Sequence, residues 1–397
     1  MNSRFKGIRI IIFSAIAIFF LAFLYIFNIT HPVKFSYENG KSNVKYERAR
    51  VLEVTNNNLR KSINLTNIYF GSQKVKVKVL TGEHKGDIKV VQNYLTDIHN
   101  VFTRKGMVIV IEIDTVNQSK YTAIVYNYYR APVEYAFIFI FFAALCFIGG
   151  KNGFKSIIGI VFTLICIIFL FVPMIYNGYS PILACLLIVV LTTFTTLFLL
   201  DGISAKTISA AFGTILGVVI SIIVGIIFGG LSHLSGLNME NAETLSLIST
   251  KTDMRVQGLL LTCVIIASLG ALLDLSVSMA SSMQEVYQSN KKLTVKQLFK
   301  SGMNIGKDLM GTMANTLILA FTGSSLNVLV VIYAYNISFT QMINMDIISV
   351  EIIEGVAGSL AVVLTVPITA FICSKIIPFI DMKLLEKNEK SINKSAV

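Results

Sequence analysis

The sequence predicts a mainly α-helical membrane protein: eight transmembrane helices, with a small extracytoplasmic β-barrel-like domain inserted between helices 1 and 2. Three observations predict it. Of 397 residues, 54% are hydrophobic and only 14% charged, against about 25% charge in soluble domains. Long apolar runs recur along the chain. Between the first two of them lies a polar segment with the alternation of β-strands. The composition excludes a soluble enzyme, a disordered regulator and a secreted disulfide scaffold.

The apolar runs fall at residues 10–27, 135–148, 156–175, 181–200, 208–229, 256–279, 309–333 and 352–373. Each is read as a membrane helix, because about 20 residues at 1.5 Å rise cross a hydrocarbon core of about 30 Å. The second is the shortest. The first follows Arg4, Lys6 and Arg9, as a signal peptide's apolar run would. It is longer than such a run and no small-residue cleavage site follows Phe27, which favours a retained helix.

Lysine and arginine set the orientation, since cytoplasmic loops hold their excess. With the N-terminus inside, the inner segments carry sixteen such residues and the short outer loops only Lys251 and Arg255. Both termini are therefore expected in the cytoplasm. The domains expected are residues 1–30 (first helix), 31–132 (outer β domain), 133–379 (seven helices) and 380–397 (basic tail). All five cysteines, Cys146, Cys166, Cys185, Cys263 and Cys373, sit in apolar spans, so no disulfide framework or zinc pattern is expected.

In the polar segment, alternation is clear at 74–80, 107–114 and 121–129, with further strand candidates at 44–54 and 87–94. A turn with Gly82 and Gly86 separates two of these runs. Short strands with one apolar face predict a closed or half-closed barrel of OB or SH3-like size. The segment holds 16 Lys/Arg against 8 Asp/Glu and so supplies most of the chain's net charge of +12. Two readings stand. One is attraction to an anionic cell-wall polymer or anionic lipid, or docking of a protein partner; the other is an ordinary solvated surface. Nucleic acid is not expected on the outer side.

An ionisable residue in a spanning helix costs about 2.5–3.5 kcal/mol on insertion scales, so it marks function by default. The stretch 269–285, LGALLDLSVSMASSMQE, is the most informative. At helical spacing Gly270, Asp274, Ser278, Ser281 or Ser282, and Glu285 share a face. Asp274 reads as a proton- or cation-titrating carboxylate. The competing reading is an Asp near the inner end of its helix that reaches cytoplasmic water. Asn315 and Thr316 on the next helix, and Glu354 on the last, offer polar groups for a transport path. Glu354 reads equally as an interfacial carboxylate in water. Gly213 with Gly217, and Gly225 with Gly229, are small-residue pairs that let helices approach closely; Gly270 and Gly358 are read the same way.

Several enzyme classes lack their residues. There is no HExxH and no Walker A sequence, and the histidines are His31, His84, His99 and His233, none at mid-membrane depth. No enzyme activity, metal or cofactor is expected.

One N-terminal helix, an outer β domain and seven helices carrying GALLDLSVSMASSMQEV together resemble the YibE/F-like family of bacterial multi-pass membrane proteins. The likeness is sharpest at residues 258–301. It implies an architecture and not a reaction. A more distant likeness joins the G-x-x-x-D pattern of Gly270 and Asp274 to the basic stretch NKKLTVKQLFKSGMNIGK that follows. It is similar to one half of the SecD/SecF and resistance–nodulation–division superfamily, where a carboxylate on the matching helix works in proton-driven coupling. That likeness implies a coupling role for Asp274 and, by fold analogy alone, a homo- or heterodimer supplying a second half. The departures are a single Asp, one transmembrane half and a small outer domain.

The function expected is an ion- or proton-coupled transporter or export-assisting protein of the cell membrane, with Asp274 as titrating carboxylate. The alternative is a non-transporting envelope scaffold or sensor whose outer domain docks a partner.

Overall fold

The computed structural model of the protein describes residues 19–31, 44–63, 66–117, 120–234, 236 and 242–395. It divides into two compact units, Ser36–Phe147 and Ile148–Val397 with Met1–Phe35.

The first unit holds a closed barrel of five strands among the described residues: β1 (Val44–Lys61), β2 (Tyr69–Val79), β3 (Ile88–Leu95), β4 (Val108–Asn117) and β5 (Lys120–Tyr128). The order is β1-β2-β3-β5-β4, and β1 closes the barrel by pairing with both β2 and β4. β1 can reach both because its register shifts between Val51 and Glu53 and again between Asn57 and Arg60; such bulges bend a strand and increase its twist. Period-2 alternation sends Val75, Val77 and Val79 inward with Ile109, Ile111 and Ile113 opposite, all nearly inaccessible to solvent. All five strand candidates of the sequence fall on these strands.

One end of the barrel is closed by amides rather than by aliphatic side chains. Gln73, Asn93 and Thr103 are buried. Gln73 donates to Asn56 Oδ1 at 2.9 Å and accepts from the Asn93 amide at 3.0 Å and the Thr103 hydroxyl at 2.9 Å. These bonds tie the β3–β4 connection over the barrel end.

The second unit is helical. α1 (Phe19–Thr30) is the described part of the first expected span; the remainder lies outside the described residues. α2 (Ala131–Cys166) begins in the first unit and runs through Gly150, whose φ of 52° and ψ of −128° interrupt the helix. It continues through a π-helical turn, Ile167–Phe171, into α3 (Val172–Tyr176). There follow α4 (Pro181–Asp201), α5 (Ala205–Leu231), α6 (Ala242–Lys251) and α7 (Leu259–Ser289). The chain ends in α8 (Val295–Ser324), α9 (Leu326–Ala334), α10 (Phe339–Ile343) and α11 (Asp346–Ser395).

Among the described residues, five helices are long and apolar enough to cross a membrane, or six if α8 and α9, bent by 57°, form one span. The expected second and third spans fall in the single stretch Ala131–Tyr176, whose 46 residues would reach about 69 Å if straight. Gly150 is where that stretch breaks. The basic stretch after α7 and the first part of the expected seventh span form one helix, α8, started by a capping box between Thr294 and Gln297 and stopped at Ser325; the rest of that span is α9.

α11 packs against α5, α7 and α8. Small residues make this close. A methyl group at Gly213 or Gly217 would overlap Thr369 or Thr365 of α11, and one at Gly225 would overlap Leu261 of α7. Gly358 faces Leu317 and Ser268 in the same way. Gly302 and Gly306, a pair the sequence reading passed over, admit Met283 and Val366. Gly229 and Gly270 have open space at the Cβ position and are not packing glycines here.

Candidate functional site

The buried face of α7 carries Leu272, Leu275, Ser276, Met279 and Met283 at helical spacing. That choice of face turns Asp274 away from α8 and α11. Asp274 is exposed in the isolated chain and lies on a groove of about 370 Å³ built by the second half of α2, by α4 and by α7. Its polar lining is Ser156, Thr163, Thr192, Thr196 and Asp274, with Gly270 leaving the floor open. Asp274 has no ion-pair or hydrogen-bond partner among the described residues.

The hydroxyls around it have fixed roles. Thr163 donates to the Gly159 carbonyl at 3.0 Å and Thr192 to the Ile188 carbonyl at 2.8 Å. With their protons committed to their own helices, both present lone pairs to any guest. The lining has one carboxylate and no basic side chain. Electrostatically, such a groove suits a cation or a proton and opposes an anion.

The α2 wall of this groove ends at the π turn Ile167–Phe171, of which Ile167 lines the groove and accepts the Val172 N–H at its carbonyl. Single π turns inside α-helices recur at functional sites. The local cause is Pro173, which has no N–H to give to the carbonyl four residues earlier, that of Phe169. Asn28 of α1 replaces the missing donor: its Nδ2 donates to Phe169 O at 2.8 Å and to Leu24 O at 2.8 Å. Phe20 packs on Phe162 about two turns away, with ring centroids 5.3 Å apart. Sequence reasoning missed this feature; a Pro inside an otherwise continuous apolar run was its visible signal.

The other expected path residues do not join Asp274. Ser278 and Ser281 are half-buried and outside the groove lining. Asn315 and Thr316 lie on the exposed face of α8, and the Thr316 hydroxyl donates to Thr312 O at 2.8 Å. Glu354 is half-buried on α11, with Glu351 and Cys263 as its electrostatic neighbours. Where α7 meets α11 the contact is instead between Ser276 and Thr369, hydroxyl to hydroxyl at 3.5 Å.

No group of three or more His, Cys, Asp or Glu able to hold a metal occurs among the described residues. No curated protein and no solved structure matches the chain. The profile of the YibE/F-like protein family matches residues 137–378, which span the break at Gly150, the groove and the α5–α7–α8–α11 bundle. By that match the chain belongs to the YibE/F-like family.

Proposed function

We propose that the protein is an ion- or proton-coupled membrane transporter, or an export-assisting protein, in which Asp274 is the titrating carboxylate. The observation that carries this reading is the unpartnered Asp274 in the middle of an apolar helix, facing a groove of hydroxyl acceptors. A carboxylate placed there is costly in a membrane, about 2.5–3.5 kcal/mol on insertion scales, unless water or a cation reaches it. The path runs along α2, α4 and α7. The π turn and the breaks at Gly150 and Ser325 depart from regular helix geometry, and Pro367 and Pro378 lie inside α11.

In this reading residues 131–149 and 151–176 are separate spans, and the span expected from the sequence at residues 10–27 is another, giving eight. The protein sits in the cell membrane with both termini cytoplasmic and the barrel outside. A second copy, or a related chain, completes the transport unit. No enzymatic step is assigned.

The test is carbodiimide modification of the full-length protein in lipid nanodiscs, which reports a protonated carboxyl inside the membrane. Labelling at Asp274 that declines with rising pH, or is blocked by one coupling cation, is expected. Labelling that ignores both pH and cations, or no labelling at Asp274, overturns the reading.

The scaffold alternative draws on a different observation, the barrel's strongly basic exterior. A native protein that moves no solute while its barrel still captures a partner would favour it.

A further inference from the structure

On the outer face of the barrel, β2 carries Lys74, Lys76 and Lys78, all exposed and alternating with the buried Val75, Val77 and Val79. Alternate residues of a strand are about 6.8 Å apart, so the three lysines leave the same face in a row along the strand. Across β1, Arg50 is the register partner of Lys78 and is also exposed. Like charges directly opposite in a sheet are destabilising. The face nonetheless has one nearby carboxylate, Glu53, opposite Lys76. None of Lys74, Lys76, Lys78 or Arg50 makes an ion pair among the described residues. On the other side of the row, β3 places Ile88 opposite Lys78 and Val90 opposite Lys76, and these are 56% and 65% exposed. Tyr94, two positions beyond Gln92, is 64% exposed.

Repelling cations and bare aliphatic side chains are both unfavourable in water, and one occupant relieves both. It has negative charges recurring along a line and a carbon-rich backbone between them. We infer that the β1–β2–β3 face binds a linear anionic polymer of the phosphodiester–polyol class, its phosphates running along Lys74, Lys76 and Lys78 and its carbon linkers lying on Ile88 and Val90. A bilayer offers its charges as a plane, whereas these cations form a single row on a curved wall. The inference stands on the barrel surface and is independent of the role given to Asp274.

The test uses the full-length protein in nanodiscs of neutral lipid and an end-labelled poly(glycerol phosphate) oligomer, with binding followed by fluorescence anisotropy. Competitors are glycerol phosphate monomer and phosphatidylglycerol vesicles, which share the same phosphate chemistry. Saturable binding that weakens with salt is expected. Lys74→Gln with Lys76→Gln and Lys78→Gln should weaken it by about tenfold or more through loss of counterion release. The charge-matched control Arg60→Gln with Lys61→Gln and Lys105→Gln should leave it within about twofold, and circular dichroism checks that both variants remain folded. Equal binding by the Lys74/Lys76/Lys78 variant overturns the proposal. So does competition by the monomer at equal phosphate concentration, or binding to the vesicles alone.

Discussion

Gly213 on α5 stands directly beneath Thr369 on α11, so close that a methyl group at Gly213 would overlap the Thr369 hydroxyl. One turn away Gly217 has the same relation to Thr365. In lipid there is no hydrophobic force between helices, and association depends on such close packing. Gly213→Val or Gly217→Val should therefore destabilise the bundle by about 1–3 kcal/mol, the usual cost of overpacking. Gly229→Ala, with no heavy atom within 4 Å of the new carbon, should change little. Thermal unfolding in a mild detergent measures all three.

Gln73 is the hub of the amide network closing the barrel. Gln73→Leu removes its donor and acceptor together and strands the Thr103 N–H and hydroxyl in a buried site, while the Asn93 amide keeps only its bond to the Val101 carbonyl. A buried polar group left without a partner costs about 1–3 kcal/mol. The barrel should melt earlier in the variant, and the β3–β4 connection should lose amide-exchange protection first.

Tyr121 sets an alkaline limit. Burial, and after it the hydrogen bond its hydroxyl donates to Asp87 at 3.0 Å, push its ionisation up to about 12, from about 10 in an unfolded chain. The folded state thus holds a proton that the unfolded state has released. The stability this contributes is whole below about pH 10 and is lost as pH rises through about 12. Tyr121→Phe should remove that part of the pH dependence. Absorbance of tyrosinate during alkaline titration, native against variant, measures it.

Asn28 supplies the donor that Pro173 cannot. Asn28→Ala leaves the Phe169 carbonyl unpaired in the apolar layer, at an expected cost of about 0.6–1.7 kcal/mol by analogy with measured polar contacts in membranes. Because Ile167 of the π turn lines the groove, the variant should also alter the pH profile of carbodiimide labelling at Asp274. Pro173→Ala should reduce the dependence on Asn28 by restoring the N–H. A double-mutant cycle in detergent unfolding tests the coupling.

The barrel was legible because a strand has one buried face: KVKVKVL states by alternation which side chains of β2 turn inward. The long apolar helices were equally plain from their runs. Their grouping was not. α7 is apolar nearly all round, so nothing in its pattern says which face meets protein. Helical spacing puts Asp274 on one face with Ser278 and Ser281, and the polar residues of the last two spans suggest that this face looks towards α8 and α11. Ser276 is the serine that reaches α11, and Asp274 looks towards α2 and α4. Asn315 and Glu354 fell out of the site for the same reason. Span counting by hydropathy also overlooked what single residues do to a helix, as at Gly150, Pro173 and Ser325.

Flux across proteoliposomes decides whether Asp274 titrates during transport. Native protein should carry gradient-driven proton or cation movement. Asp274→Asn should abolish it while Asp274→Glu retains part, and both variants should assemble like the native chain. Undiminished flux in Asp274→Asn, or no flux from native protein across a broad solute screen, would contradict the account.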